Sequence, residues 1–217
     1  MIDFNQQKEL LELVGRQLRK RTEALLIGGS AMMFHGAKAA TFDIDLVFMD
    51  KNHFLRFADA LGSIGFSENK QFEIFRHYET AKIKPKIFLG SDTRFDLFLN
   101  EVVCFKITDS ILSRIKEEHE FGNLIVKIVA PEDIILLKCA TERAKDRVDA
   151  AELARKYRID WKVVISESIL QMNVGKAVYP VFLLSFLHEL RDKLKVDIPD
   201  SILAELEAVC EKALKMK

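Results

Sequence analysis

The sequence predicts an α+β protein in two parts, residues 1–130 as a mixed α/β core and 131–217 as a helical region. Three observations predict this. Over the first 130 residues, short apolar runs bounded by turn residues alternate with helical stretches. After "RKYRIDW" only helical periodicity remains, in about three pieces. The 217 residues are 49% hydrophobic, enough for one good core and a smaller second lobe.

Asp3 is placed to cap a helix running to about Lys20, with Phe4, Leu10, Leu11, Val14 and Leu18 as its apolar stripe. Ala24–Ile27 reads as a short buried strand. Gly28-Gly29 turns the chain, Ser30 is placed to N-cap a helix over residues 31–35, and Gly36 ends it. Phe42–Met49 is a strand, and Asp50 caps the helix "KNHFLRFADALGSIG". Residues 72–79, 86–89 and 94–99 read as strands, 109–117 as a helix, and "NLIVKIVA" as a further strand. Pro131 opens the helix "PEDIILLKCATERA", and another runs from about Lys145 to Lys156. Two of the C-terminal pieces are marked by Gly175 and Pro180, and by Pro199-Asp200-Ser201.

Lys+Arg and Asp+Glu both number 33, so net charge gives no support to a broad nucleic-acid-binding surface. No apolar run approaches the ~20 residues of a membrane span. The N-terminus lacks the basic and apolar regions of a signal peptide. Cys104, Cys139 and Cys210 are far apart without zinc-ligand spacing, and read as reduced thiols of a cytoplasmic protein.

The chemistry gathers in "LLIGGSAMMFHGAKAATFDIDLVFMD". Residues two apart on a strand face the same side, so Asp43 and Asp45 project together while Ile44 and Leu46 point into the core. Two like charges this close need a counter-charge. A divalent cation with oxygen ligands, Mg²⁺ or Mn²⁺, supplies one. In "TRFDLFLN", Asp96 alternates with Phe95 and Leu97, and joins the cluster if its strand pairs beside 42–49. Taken alone, Asp-x-Asp is also the mark of an exposed strand end. The upstream Gly28-Gly29-Ser30 turn adds to the metal reading, because amides at a helix N-terminus bind anions where glycine lets them approach.

"GGS", then "DID" about a dozen residues on, then a strand aspartate about fifty residues further, resembles the DNA polymerase beta-type nucleotidyltransferase superfamily. "GGSAMMFHG", "ATFDIDLVF" and "APEDIILLKCATERAKDRVDAAEL" are similar to its small prokaryotic branch of stand-alone enzymes and type IV toxin–antitoxin nucleotidyltransferases. The resemblance covers about residues 24–155. It implies a nucleotidyltransferase fold with a mixed, mainly antiparallel sheet and helices packed on it, followed by a helical lobe that closes the cleft. It also implies Mg-dependent transfer of a nucleoside monophosphate from an NTP to an acceptor hydroxyl on RNA (such as tRNA), protein or a small molecule. Asp43, Asp45 and Asp96 are then the metal-binding and catalytic carboxylates, with Asp96 the general base or second-metal ligand. Gly28, Gly29, Ser30, Lys38 and Lys138 are then the nucleotide-binding residues. Many relatives carry an arginine before Thr-x-Asp where this chain has Lys38, a point charge without a bidentate fork.

Lys138 lies on a helix apolar nearly all round, where an unpaired ammonium is costly. It meets the triphosphate, as the family implies, pairs with Glu142 one turn on, or snorkels to the surface. Asp146 and Asp149 read as support for Lys138 or Arg143 rather than as metal ligands, with helix capping the simpler role for Asp146. His35 reads as a satisfied structural histidine. Two other readings stay open: a non-catalytic relative that binds nucleotide or a partner, such as half of a toxin–antitoxin pair, and a small-molecule modifier of the aminoglycoside-adenylating kind.

Overall fold

The computed structural model describes residues 1–69, 85–103, 105–141, 143–174 and 178–215. In chain order the elements are β1 (Ile2–Asp3), α1 (Phe4–Gln17), β2 (Thr22–Ile27), α2 (Gly28–Phe34), β3 (Ala40–Thr41), β4 (Asp43–Phe48), α3 (Lys51–Ser63), β5 (Ser67–Glu68), β6 (Lys86–Leu89), β7 (Arg94–Leu99), β8 (Glu101–Val102), β9 (Phe105–Lys106), α4 (Asp109–Arg114), β10 (Glu117–Phe121), β11 (Leu124–Ile128), α5 (Pro131–Cys139), α6 (Ala144–Lys156), α7 (Trp161–Val174), α8 (Tyr179–Leu194) and α9 (Asp200–Lys215). They divide into two compact units: Met1–Val103 with Leu112–Val129, and Cys104–Ile111 with Ala130–Lys217. The expected strand over 72–79 lies outside the described residues.

The first unit is built on a sheet that, among the described residues, runs β10-β11-β2-β4-β7-β6-β5. The pairs β11–β2 and β4–β7 are parallel; the other four are antiparallel. The fold is therefore α+β on a mixed, mainly antiparallel sheet. Alternation along β4 and β7 buries Ile44, Leu46, Phe48, Phe95 and Leu97 on one face. Helix α3 covers that face. Phe54 and Phe57 meet Phe48 with ring centroids 5.8 and 5.3 Å apart, and Phe57 meets Phe95 at 5.8 Å. Each such ring contributes about 1.5–3 kcal/mol by burial. Asp43, Asp45 and Asp96 alternate with these residues and so project from the opposite face.

The caps are specific. Asp3 and Gln6 form a reciprocal capping box at the start of α1, and Asp50 accepts from the Asn52 and His53 amides at the start of α3. Three expectations need correction. Helix α1 ends at Gln17, with Leu18 already extended, rather than near Lys20. Helix α2 begins at Gly28 with Ile27 in the N-cap position, so Ser30 lies inside its first turn and caps nothing. The helix from 109 stops at Arg114, and Glu117–Phe121 is instead strand β10, paired antiparallel to β11.

The second unit is mostly helical. Ile134, Ile135 and Leu136 of α5 are fully buried, as a helix apolar all round requires. The Tyr179 hydroxyl donates to the Leu136 carbonyl at 2.5 Å. Gln171 on α7 brackets the backbone of β9: its Oε1 accepts from the Lys106 amide at 2.9 Å and its Nε2 donates to the Lys106 carbonyl at 2.7 Å. Beside it the buried Glu167 accepts from the Thr108 hydroxyl at 2.8 Å. These bonds satisfy polar groups that would otherwise be costly to bury. Cys139 and Cys210 are buried and form no disulfide among the described residues.

Candidate active site

Parallel pairing of β4 with β7 fixes the centre of the site. Asp45 stands opposite Asp96, and Asp43 opposite Arg94. Strands are pleated with period two, so all four side chains share one face. Asp43, Asp45 and Asp96 each bring a carboxylate oxygen within 4.8 Å of the others. Asp96 is the most deeply buried of the three.

The turn from β2 into α2 abuts this cluster. Gly28 has φ +63, a left-handed conformation that a side chain disfavours, and a Cβ there would collide with Oδ2 of Asp45. At Gly29 a Cβ would lie 2.7 Å from the Thr41 hydroxyl and 3.6 Å from Cδ of Lys38, which places the Lys38 stem over this glycine. Ser30 is fully buried, and its hydroxyl donates to the Asp43 carbonyl at 2.8 Å, tying α2 to the start of β4. Its own carbonyl accepts from Gln7 Nε2 at 3.2 Å. Both the Ser30 hydroxyl and its carbonyl are thus engaged within the protein. The Thr41 hydroxyl donates to Asp43 Oδ1 at 3.2 Å, and Thr93 donates to the Phe42 carbonyl at 2.9 Å. His35 bonds the Val129 carbonyl through Nε2 at 2.8 Å.

Arg94 belongs to this constellation and was not singled out from the sequence. Its Nη2 donates to Asp43 Oδ2 at 3.1 Å and to Asp96 Oδ2 at 2.9 Å. The side chain is 32% exposed, against 13% for Asp43 and 6% for Asp96, so the pair of bonds sits at the edge of solvent. The signal in the sequence was its spacing: two residues before Asp96 on one strand, it had to share the aspartate's face.

The second unit carries a separate charged network. Lys138 Nζ donates to Asp146 at 2.7 Å and to Asp149 at 2.6 Å, all three groups being buried. Asp146 also accepts from the Thr141 hydroxyl and from Arg143 Nε, the latter at 2.8 Å. Burial pulls the Lys138 pKa down, but the charges and hydrogen bonds of Asp146 and Asp149 outweigh it and hold it above the ordinary lysine value. Burial pushes the Asp146 carboxyl up; Lys138, Thr141 and Arg143 together hold it below the ordinary value. The expected alternative partner, Glu142, lies outside the described residues.

An α+β sheet with three clustered strand carboxylates beside a glycine turn is the arrangement expected of a nucleotidyltransferase-type protein. A family model described as "Nucleotidyl transferase of unknown function (DUF2204)" matches residues 7–179, and the chain belongs to that family. Among solved structures, the chain is similar to one described as "putative nucleotidyltransferase from H. pylori", at 18% identity and a TM-score of 0.43, over 97% of this chain and 96% of that one. No curated protein matches the chain. Among the described residues, no helix is long and apolar enough to cross a membrane.

Proposed function

We propose that the chain transfers a nucleoside monophosphate from a nucleoside triphosphate to an acceptor hydroxyl, releasing pyrophosphate. The observation that supports this most is the alignment of Asp45 with Asp96, which with Asp43 gathers three carboxylate oxygens within 4.8 Å on one sheet face. An all-oxygen donor set fits Mg²⁺ or Mn²⁺, and Asp43, Asp45 and Asp96 would hold it. Such an ion, when bound, neutralises charge on the reacting phosphate and acidifies the attacking hydroxyl.

The chain's own residues do the remaining work. Gly28 and Gly29 let the start of α2 lie directly against Asp45 and Thr41, and the first amides of a helix, which lack intrahelical partners, would serve a phosphate beside the carboxylates. Lys38, over Gly29, adds positive charge toward the triphosphate. Asp96 takes the proton from the acceptor hydroxyl as its oxygen bonds to the α-phosphorus. The bond from that phosphorus to the bridging oxygen breaks, and pyrophosphate leaves with the electron pair. Asp146 and Asp149 act as supports that hold Lys138 in place.

Incubating the protein with each α-labelled NTP, Mg²⁺ and a cell extract tests the reading. Label should appear in an RNA, protein or small-molecule fraction with wild type and not with Asp45→Asn. No label above the Asp45→Asn background with any NTP would overturn it. Arg94 favours one second reading, a non-catalytic relative that binds nucleotide or a partner such as an antitoxin, because its guanidinium already pairs with two of the three aspartates. Nucleotide binding without transfer in the same assay would select it.

A further inference from the structure

We infer that Arg94 is the resident counter-charge of the carboxylate cluster, and that its guanidinium leaves Asp43 and Asp96 when a divalent cation takes their oxygens. The inference rests on the reading of Asp43, Asp45 and Asp96 as a cation site. Two features of the arginine carry it further.

The first is competition for the same groups. Arg94 Nη2 lies 3.1 Å from Asp43 Oδ2 and 2.9 Å from Asp96 Oδ2, and both aspartates belong to the set of three that converges within 4.8 Å. A dication held by these carboxylates and a guanidinium held by two of them repel each other at close range. The carboxylates are fixed by strand register and by Thr41 on Asp43, so they move least. Arg94 stands on a long side chain that is one-third exposed, so it is the more mobile partner.

The second is how poorly the guanidinium is used where it stands. One nitrogen, Nη2, serves both carboxylates, instead of the two parallel bonds that an arginine–carboxylate fork makes. Its Nε is buried and meets no acceptor among the described residues. A buried donor without an acceptor is costly, which lowers the cost of leaving this position once a dication has taken the carboxylates. In the absence of a dication the arginine keeps three nearby carboxylates from repelling one another. When the dication arrives, that service is no longer needed. Metal loading and the position of Arg94 are then coupled, and a guanidinium is released at the rim of a site proposed to receive a triphosphate.

Manganese alone, titrated into the full chain and followed by calorimetry, tests this. Arg94→Gln removes the competitor, and its Mn²⁺ dissociation constant should fall by about ten-fold, a modest fraction of the unscreened attraction between charges this close. Metal-free Arg94→Gln should melt below wild type, and Mn²⁺ should raise its melting temperature by more. Arg94→Lys, which keeps the charge, should bind Mn²⁺ with an affinity between the two. As a check independent of any variant, the ¹⁵Nε–H resonance of Arg94 in wild type should shift on saturation with Mg²⁺. An unmoved resonance at saturation, or a folded Arg94→Gln with wild-type or weaker Mn²⁺ affinity, overturns the inference and leaves the cation site standing. If Mn²⁺ binds neither protein, or binds both but equally well after Asp45→Asn, the cation site itself is wrong and the inference falls with it.

Discussion

Gly28 and Asp45 stand against each other so closely that the glycine's missing side chain is occupied by the aspartate's carboxylate. A Cβ at Gly28 would collide with Asp45 Oδ2, and the φ of +63 at Gly28 disfavours a side chain in any case. Gly28→Ala is therefore expected to lose about 1–2 kcal/mol to the left-handed backbone alone. It should also push Asp45 out of line, weakening Mn²⁺ binding beyond what the stability loss explains. Denaturant melts and Mn²⁺ titration of the same preparation check both parts.

Gly29→Val probes the turn differently. Its Cβ would lie 2.7 Å from the Thr41 hydroxyl, which holds Asp43. NTP affinity should fall while the circular dichroism spectrum is kept. Unchanged affinity in the folded variant would remove the turn from the phosphate site.

Asp45→Asn should abolish transfer and leave the fold intact, because removing one of three clustered like charges does not harm a metal-free site. Asp96→Asn should abolish transfer too, but also lower stability, since Arg94 Nη2 loses half of its pairing. Turnover assays and thermal melts of the two variants side by side separate the roles; wild-type turnover in either would show the site to be misassigned.

Lys138→Met keeps most of the stem's packing and strands Asp146 and Asp149 in the interior. Breaking a buried pair of this kind costs on the order of 3–5 kcal/mol. Urea unfolding should show the loss without NTP present, and should show it restored in part when Asp149→Asn is combined with Lys138→Met.

The same network sets a pH window. The Asp146 pKa is lowered by folding, so its contribution is present above the unfolded value of about 3.9 and is lost as pH falls through the lower folded value. The Lys138 pKa is raised, so its contribution is full below the unfolded value of about 10.4 and is lost as pH rises through the higher folded value. Stability from this network should be flat between those limits and fall outside both. Lys138→Met should lose the alkaline fall; denaturation curves across the range, wild type against variant, measure it.

The strands that carry the aspartates were legible because their pattern is local: Ile44, Leu46, Phe95 and Leu97 alternate with them along each strand. Arg94 was not, because its importance lies in lying opposite Asp43 across the sheet, a register that no single segment displays. Ser30 looked like a cap because it follows two glycines. Its hydroxyl instead found the Asp43 carbonyl, a partner 13 residues away. Strand β10, "EEHEF", lacks apolar alternation and gave no signal. For Lys138, the observed partners lie eight and eleven residues along the chain, farther than one helical turn reaches. Helix α5 stops at Cys139 and α6 starts at Ala144, and that break brings Asp146 and Asp149 to the ammonium.

The chain passes from one compact unit to the other at residue 104, returns at 112 and leaves again at 130. The short first visit is not ornamental: Lys106 supplies the backbone that Gln171 brackets, and Thr108 the hydroxyl that Glu167 accepts. A gene fragment beginning at codon 130 would encode every long helix of the second unit and still deprive Gln171 of the Lys106 backbone and Glu167 of the Thr108 hydroxyl. The helical region is thus no portable module. Moving it at a single crossover would carry the receiving side chains without the peptide they receive.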